Sequence, residues 1–376
     1  MLLTLGTSGI RGGMGRLLST GILRTLSADR NLEKGNRMHF QMKRYVWLLG
    51  LLLMAAGASA VPASAGSTPL NDEVDVNCHK GDVKTIQNGI DNATQGATVK
   101  VCKGTYKENV YINIAANSQL NGLHVKASGS VHLECPGSGR DSSHGTGFEL
   151  HASNVTIEGF DVEDCDIAIA VLPNGPTSSN GGEIIEDNTL CSNDIGISIT
   201  NNLTLSGGSP VNGNEYGKNS IVHNEICKNG GDGIFDFGAQ GDYIFGNNIH
   251  DNGGNGIEIS TTPNVICISP LECGGEYSAV IVDNEVEENG FGTPSNLLHG
   301  VLLNTANNAL VRGNRLSENA NDGLHINPGS GSEVAANDAH QNGNDGIEVS
   351  STASGNLIIH DRMEKNTKAE IGRAHV

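Results

Sequence analysis

Aromatic side chains are scarce in this chain: 7 Phe, 6 Tyr and one Trp among 376 residues. A Trp-lined platform for stacking neutral sugars is disfavoured, the more so because Trp47 lies in a segment expected to be removed. Basic residues are also few, 23 Lys and Arg against 42 Asp and Glu. That balance argues against nucleic acid and anionic membrane surfaces as partners. Long apolar runs are missing: Tyr45–Ala56 spans only 12 residues, too short for a bilayer. No C-x-x-C occurs, which argues against a thiolate zinc site.

Glycine is abundant, 51 residues, and only 17% of the chain is charged. Length alone would allow two domains, but a repeat dominates. One Asn column holds Asn188, Asn224, Asn247, Asn284, Asn314 and Asn337, with Asp361 last. Five residues on stands a second, Asn193, Asn229, Asn252, Asn289, Asn319, Asn342 and Asn366. Three residues before the first Asn is always a branched aliphatic, from Ile185 and Ile221 to Val334 and Ile358. A Gly opens the next apolar-x-apolar stretch at Gly196, Gly233, Gly256, Gly300, Gly323 and Gly346.

Period-2 alternation predicts strands. Each is too short to bury a face alone, so coils must stack, about 4.8 Å apart, over one continuous core. Stacked Asn side chains can hydrogen-bond along a column, and Asn and Gly are expected to supply left-handed corner conformations. The expected fold is all-β, a right-handed parallel β-helix, the hand being that of parallel crossovers generally.

Met42-Lys43-Arg44, the apolar run and the A-x-A sites at Ala58-Ser59-Ala60 and Ala63-Ser64-Ala65 predict a signal peptide over 42–65, preceded by a mis-called upstream segment, 1–41. Its removal leaves 15 basic and 40 acidic residues. A polyanionic glycan would be repelled unless cations such as Ca²⁺ bridged it. All eight Cys remain, and an even count in an exported chain predicts disulfides. Cys191 and Cys227 share a column on adjacent coils, and Cys267 and Cys273 close a short loop; Cys78–Cys102 and Cys135–Cys165 follow from order alone. Residues 370–376 break every pattern and read as a translated sequencing adapter, so the chain is expected to be truncated after Ala369.

Helical spacing of Ile86, Ile90 and Ala93 predicts a short helix capping the open end of the solenoid. Thr85-Ile86-Gln87-Asn88-Gly89-Ile90-Asp91, with Gly104-Thr105-Tyr106-Lys107-Glu108-Asn109-Val110, resembles the N-terminal cap of the pectate lyase-like superfamily, which includes NosD-like repeat proteins. The resemblance covers 75–369 and implies the fold with its N-terminal α-helical cap. It spans lyases, hydrolases, esterases, epimerases and non-enzymes, so it does not choose an activity.

Insertions mark where chemistry is expected. The plain period is 23 residues, as from Asn224 to Asn247, but Asn188 to Asn224 and Asn247 to Asn284 take 36 and 37. The extra residues, near 201–218 and 261–277, leave the same corner two coils apart, and 174–182 leaves it one coil earlier. The loops should flank a notch about two coils wide, roughly 10 Å. Phe235, Tyr243 and Phe245 line its floor as an expected sugar platform. Asp236 stands where other rows have an inward apolar residue, which is costly unless the carboxylate is paired. Either a bulge turns it to solvent, or it joins Glu258 or Asp242 as a catalytic or Ca²⁺-ligating pair. Lys228 or Arg312 is the candidate base. His223, His250 and His325 read as surface residues, and Asp232, Asp322 and Asp345 as turn residues before a corner Gly.

Asp242-Tyr243-Ile244-Phe245-Gly246-Asn247 is similar to a pectin methylesterase motif, without the rest of that family's set. The motifs of mannuronan epimerases, polygalacturonases and the best-known pectate lyases are likewise missing. The expectation is a monomeric, secreted or periplasmic polysaccharide-active protein, a Ca²⁺-assisted uronate lyase with Asp236, Asp242 and Glu258 on the ion. The alternative is a non-catalytic glycan-binding or cell-surface structural β-helix; a NosD-like accessory factor is a third reading.

Overall fold

The computed structural model describes residues 73–80, 82–113, 120–136, 145–172, 181–200, 218–238, 241–260, 277–292, 298–369 and 371–373. The expected signal segment, the Cys267–Cys273 pair and nearly all of the inserted loops lie outside these residues.

Each regular coil contributes three short strands to three walls. In one coil these are Ser220–Val222, Glu225–Cys227 and Ile234–Phe237. The inter-coil pairings are parallel, and in the regular coils they keep register: Ile221 lies beside Ile244, Ile226 beside Ile249, and Ile234 beside Ile257. The first two walls form one bent 19-stranded sheet, and the third is a separate 10-stranded sheet. This is the expected right-handed parallel β-helix. Its core is a set of aliphatic stacks, such as Ile185, Ile221, Ile244, Ile281, Val311 and Val334, all fully buried. Each such side chain contributes roughly 1.5–3 kcal/mol by leaving water.

The two Asn columns lie inside the corners. Asn224 Oδ1 accepts from the backbone N–H and the Nδ2 of Asn188, both at 3.0 Å. Its Nδ2 donates to Asn247 Oδ1 at 3.0 Å and to the Ile185 carbonyl at 2.8 Å. All four hydrogen-bonding positions of the amide are thus used, as a buried amide requires.

The corner conformations come only in part from the expected residues: Gly246 (φ 64°) and Gly313 (φ 69°) supply them, but the column Asn do not. The left-handed residues are those just before each Asn, such as His223 (φ 55°), Lys228 (φ 55°) and Asp251 (φ 58°). The Asn is left in ordinary backbone geometry so that its amide can point inward. The Gly column also has another cause. A Cβ on Gly233 would lie 2.6 Å from the Gly256 carbonyl oxygen and 2.7 Å from Ile249. Glycine stands there because adjacent coils leave no room for a side chain.

The helix α1, Ile86–Asp91, buries Ile86 and Ile90 against the first coil and is N-capped by Thr85. Glu108, from the Tyr-x-Glu half of the cap motif, accepts from the N–H groups of Ile86 (2.8 Å) and Gln87 (3.1 Å). A carboxylate there also suits the positive end of the helix. Among the described residues three disulfides are formed, Cys78–Cys102, Cys135–Cys165 and Cys191–Cys227. Residues Ile371–Arg373 add a last strand beside Ile347–Val349.

Candidate functional site

Strand register decides which expected site residues can meet. Asp236 pairs with Ile259 and Phe235 with Glu258. Successive strand residues face opposite sides, so Asp236 points into the solenoid while Phe235 and Glu258 point out. Asp236 is fully buried, and no bulge turns it outward. Asp242, its neighbour in the core, is also fully buried. Burial pushes the Asp242 carboxyl up to about 6, with the interactions with Asp236 and Asn219 acting against that. Asp236, Asp242 and Glu258 therefore do not converge on one surface cation. Two lie in the core, and Glu258 lies on the outer face. Lys228 sits at the corner between the second and third walls, whereas the Asp pair adjoins the corner between the third and first.

The aromatics divide between two walls. Phe235 stacks on Phe237 on the third wall, with ring centroids 6.1 Å apart. Tyr243 stacks on Phe245 on the first, at 5.6 Å. Of the corner between them, Gly238 and Gly241 are described, both at positive φ.

Among the described residues, a dense polar assembly lies on the third wall. The residue before each corner Gly forms one column, Asp232, Asn255, His299, Asp322 and Asp345. The outward residue three further on forms another, Phe235, Glu258, Leu302, His325 and Glu348. Asp322 is fully buried where the columns meet. One of its oxygens accepts from Asn344 Nδ2 (2.7 Å) and the Asp345 N–H (2.9 Å). The other lies 2.9 Å from His299 Nδ1 and 3.1 Å from His325 Nδ1. The two imidazoles meet edge to face at 4.5 Å. Glu348 reaches the same His325 nitrogen at 3.5 Å.

Burial raises the Asp322 pKa, but the neighbouring His299 and His325 imidazoles and the Asp345 N–H outweigh it and hold the group well below the usual carboxylate range. Burial lowers His299, and the Asp322 interaction only partly offsets this. Burial, and then the neighbouring Asp322, raises Glu348. Glu348 and His325 are the members that open to solvent, with side chains 24% and 14% exposed. A neighbouring group is built on Glu258, which accepts from Asn255 (2.9 Å) and Ser260 (2.6 Å). Burial, helped by the Glu258 charge, raises Asp232 to about 6. The arrangement places a carboxyl of raised proton affinity, Glu348, beside the imidazoles and the strongly acidic Asp322, a combination suited to proton transfer.

The sequence reading had placed His325 on the surface and Asp322 in a turn, and it passed over His299. Aligning the Asn columns through to the corner Gly column would have stacked His299 on Asp322. The odd spacing of 30 residues from Asn284 to Asn314 places a further insertion just before His299.

Residues 271–372 match the family model described as a right handed beta helix region. No curated protein is similar to this chain in sequence. Among solved structures, pectate lyase Pel9A superposes with a TM-score of 0.52 at 15% identity, over 77% of this chain and 77% of its own. The A-module of mannuronan C-5 epimerase AlgE4 from Azotobacter vinelandii gives 0.49 at 14%, over 77% and 92%. The periplasmic alginate epimerase AlgG gives 0.46 at 12%, over 74% and 69%. The fold is that of a pectate lyase-like β-helix, and at these identities the likeness carries no residue roles.

Proposed function

We propose that this pectate lyase-like β-helix is an exported, polysaccharide-active enzyme that removes a proton from uronate units of an acidic glycan. The observation that carries the reading is the Asp322–His299–His325–Glu348 cluster, whose exposed members lie on the outer face of the third wall. Coils follow one another on that face every 4.8 Å or so, with Phe235, Glu258, Leu302 and His325 in one outward column and Phe237, Ser260 and Asn304 in the other. Such a track suits a linear polymer. Pectate lyase Pel9A is a protein of this fold that acts on pectate. Three disulfides among the described residues suit an oxidising compartment. No helix of the described residues is long and apolar enough to cross a membrane.

In this reading Glu348 takes the proton next to the uronate carboxylate. Its raised affinity for protons makes it a stronger base than a free carboxylate. Asp322 fixes both imidazoles beside it. Loss of the proton and expulsion of the 4-linked sugar would leave an unsaturated uronide. The substrate carboxylate needs a positive partner on so acidic a surface, and the Ca²⁺ expected at Asp236, Asp242 and Glu258 has no converged ligand set there.

The test is to incubate the mature chain with polygalacturonate and alginates and follow the ultraviolet absorbance of unsaturated uronides. Activity is expected, and Glu348→Gln should reduce it about 100-fold without altering the fold. Full activity in that variant would remove Glu348 from the mechanism. A flat trace from folded wild type on every uronan would overturn the lyase reading and favour a binding surface, for which the stacked Phe235–Phe237 pair is suited.

A further inference from the structure

We infer that His299, Asp322 and His325 form a binding site for a divalent transition-metal ion of the Zn²⁺ class, with its open position facing Glu348. The inference deepens the reading of this cluster as the reactive centre.

One donor atom from each of the three residues lies within 4.8 Å of the others. The two Nδ1 atoms stand 2.9 and 3.1 Å from one Asp322 oxygen. Donors held about 2.0–2.1 Å from Zn²⁺ at tetrahedral angles are about 3.3 Å apart, so only a small opening would seat the ion. His299 is an independent sign. Its ring is 4% exposed, and its Nδ1 is aimed at Asp322 from 2.9 Å but outside hydrogen-bond geometry. A ring confined in this way loses a hydrogen bond that a metal bond would replace.

The cluster also holds like charges together, since Asp322, Asp345 and Glu348 have carboxylate oxygens within 4.8 Å of one another. A dication between the imidazoles would relieve that repulsion. Two imidazoles and a carboxylate are the donor set of Zn²⁺, Fe²⁺ or Co²⁺, whereas Ca²⁺ and Mg²⁺ take oxygen ligands almost throughout. The Asp322 oxygen not facing the imidazoles is bound by Asn344 and the Asp345 N–H, which orient the ligating carboxylate. Three protein ligands leave a position for an anionic oxygen, and a substrate carboxylate would occupy it beside Glu348.

The test uses the full mature chain stripped with EDTA, titrated calorimetrically with Zn²⁺ alone and with Ca²⁺ alone, in the absence of glycan. One Zn²⁺ per chain is expected, at least 100-fold tighter than Ca²⁺. His299→Gln and His325→Gln should each weaken it 10-fold or more, and Co²⁺ should give visible absorption bands of four- or five-coordinate geometry that both variants lose. Asp322→Asn also breaks the Asn344 and Asp345 contacts, so the histidine variants carry the test. Zn²⁺ binding that is unchanged in both histidine variants, that is absent, or that Ca²⁺ matches would overturn the inference. Glu348→Gln should keep Zn²⁺. Bound Zn²⁺ with no uronide formed would defeat the lyase reading alone, and uronide formation by the EDTA-stripped chain would defeat a role for the ion in turnover.

Discussion

The early and late coils make the same two bends by different means. In the early coils, Thr98–Lys107 and His124–Glu134 run through the first corner as long strands, with a register shift between Cys102 and Gly104. From Ile184 onward, each such strand is broken into two pieces of three or four residues by a left-handed residue and an inward Asn, or Asp361 in the last such coil. The Asn ladder ends at Phe160 and Cys165, whose N–H groups are the last to donate to it, at 2.9 and 3.0 Å. Beyond that point the inward positions hold Phe160 against Phe148, with ring centroids 4.9 Å apart, and the Cys135–Cys165 bridge. The late coils are held by repeated polar bonds, and the early ones by apolar packing and covalent links. A ladder gains from each added rung, because every amide needs a neighbour on both sides. At the end of the stack that neighbour is missing, and residues that need none take over.

The comparison can be broken most directly in the middle of the ladder. Asn252→Ala removes the bonds from the Asn229 N–H and Nδ2 and those to Ile226 and Asn289. Stranding several buried groups should cost about 4 kcal/mol or more, read as a lower urea midpoint. A loss below about 1 kcal/mol would show that the ladder decorates the corner without holding it.

A smaller effect separates the two regions. Replacing Cys135 and Cys165 with Ala should cost roughly 3 kcal/mol and raise hydrogen exchange in the early coils. The same change at Cys191 and Cys227 should cost less, because Asn193 and Asn229 tie those coils together within two residues of the bridge. Equal losses would mean that the ladder does not share the load.

The third corner sharpens the contrast by pH. Its column runs Glu183, Asn219, Asp242, Ala279, and Glu183 is a fully buried carboxyl where the other corners have Asn. Burial raises it from 4.5 to about 8. The folded chain therefore holds a proton that the unfolded chain releases above about pH 4.5. Stability from this group is full below that pH and is lost as pH rises to about 8. Glu183→Gln should match wild type at pH 4 and exceed it in stability at pH 9. A difference that does not change with pH would show that Glu183 is not a buried acid.

The sequence made the solenoid legible because stacking repeats one local problem in every coil. Inward aliphatics, buried Asn and absent Cβ atoms must recur at fixed spacing, and recurrence is visible without an alignment. The candidate site obeys the opposite rule. His299 and Asp322 have the same place in their coils, and only His299 departs from the Asp or Asn that other rows carry there. Reading along the chain made Asp322 a turn residue and His325 a surface residue, because their partnership runs across coils. The Asp236 pairing with Asp242 was visible as an option, but its depth was not. Phe235 and Glu258 show the same limit, since which wall an outward residue faces depends on where the corners fall.

The chain by itself determined the strand period, the columns, the capping helix and the pairing of Cys191 with Cys227, because each follows from neighbours along one coil or one repeat. Only the tertiary structure decided that Asp236 and Asp242 meet inside the core and that His299, Asp322, His325 and Glu348 meet on the third wall. Those meetings depend on inter-coil register, and a shift of one residue would exchange the buried and exposed faces of every strand.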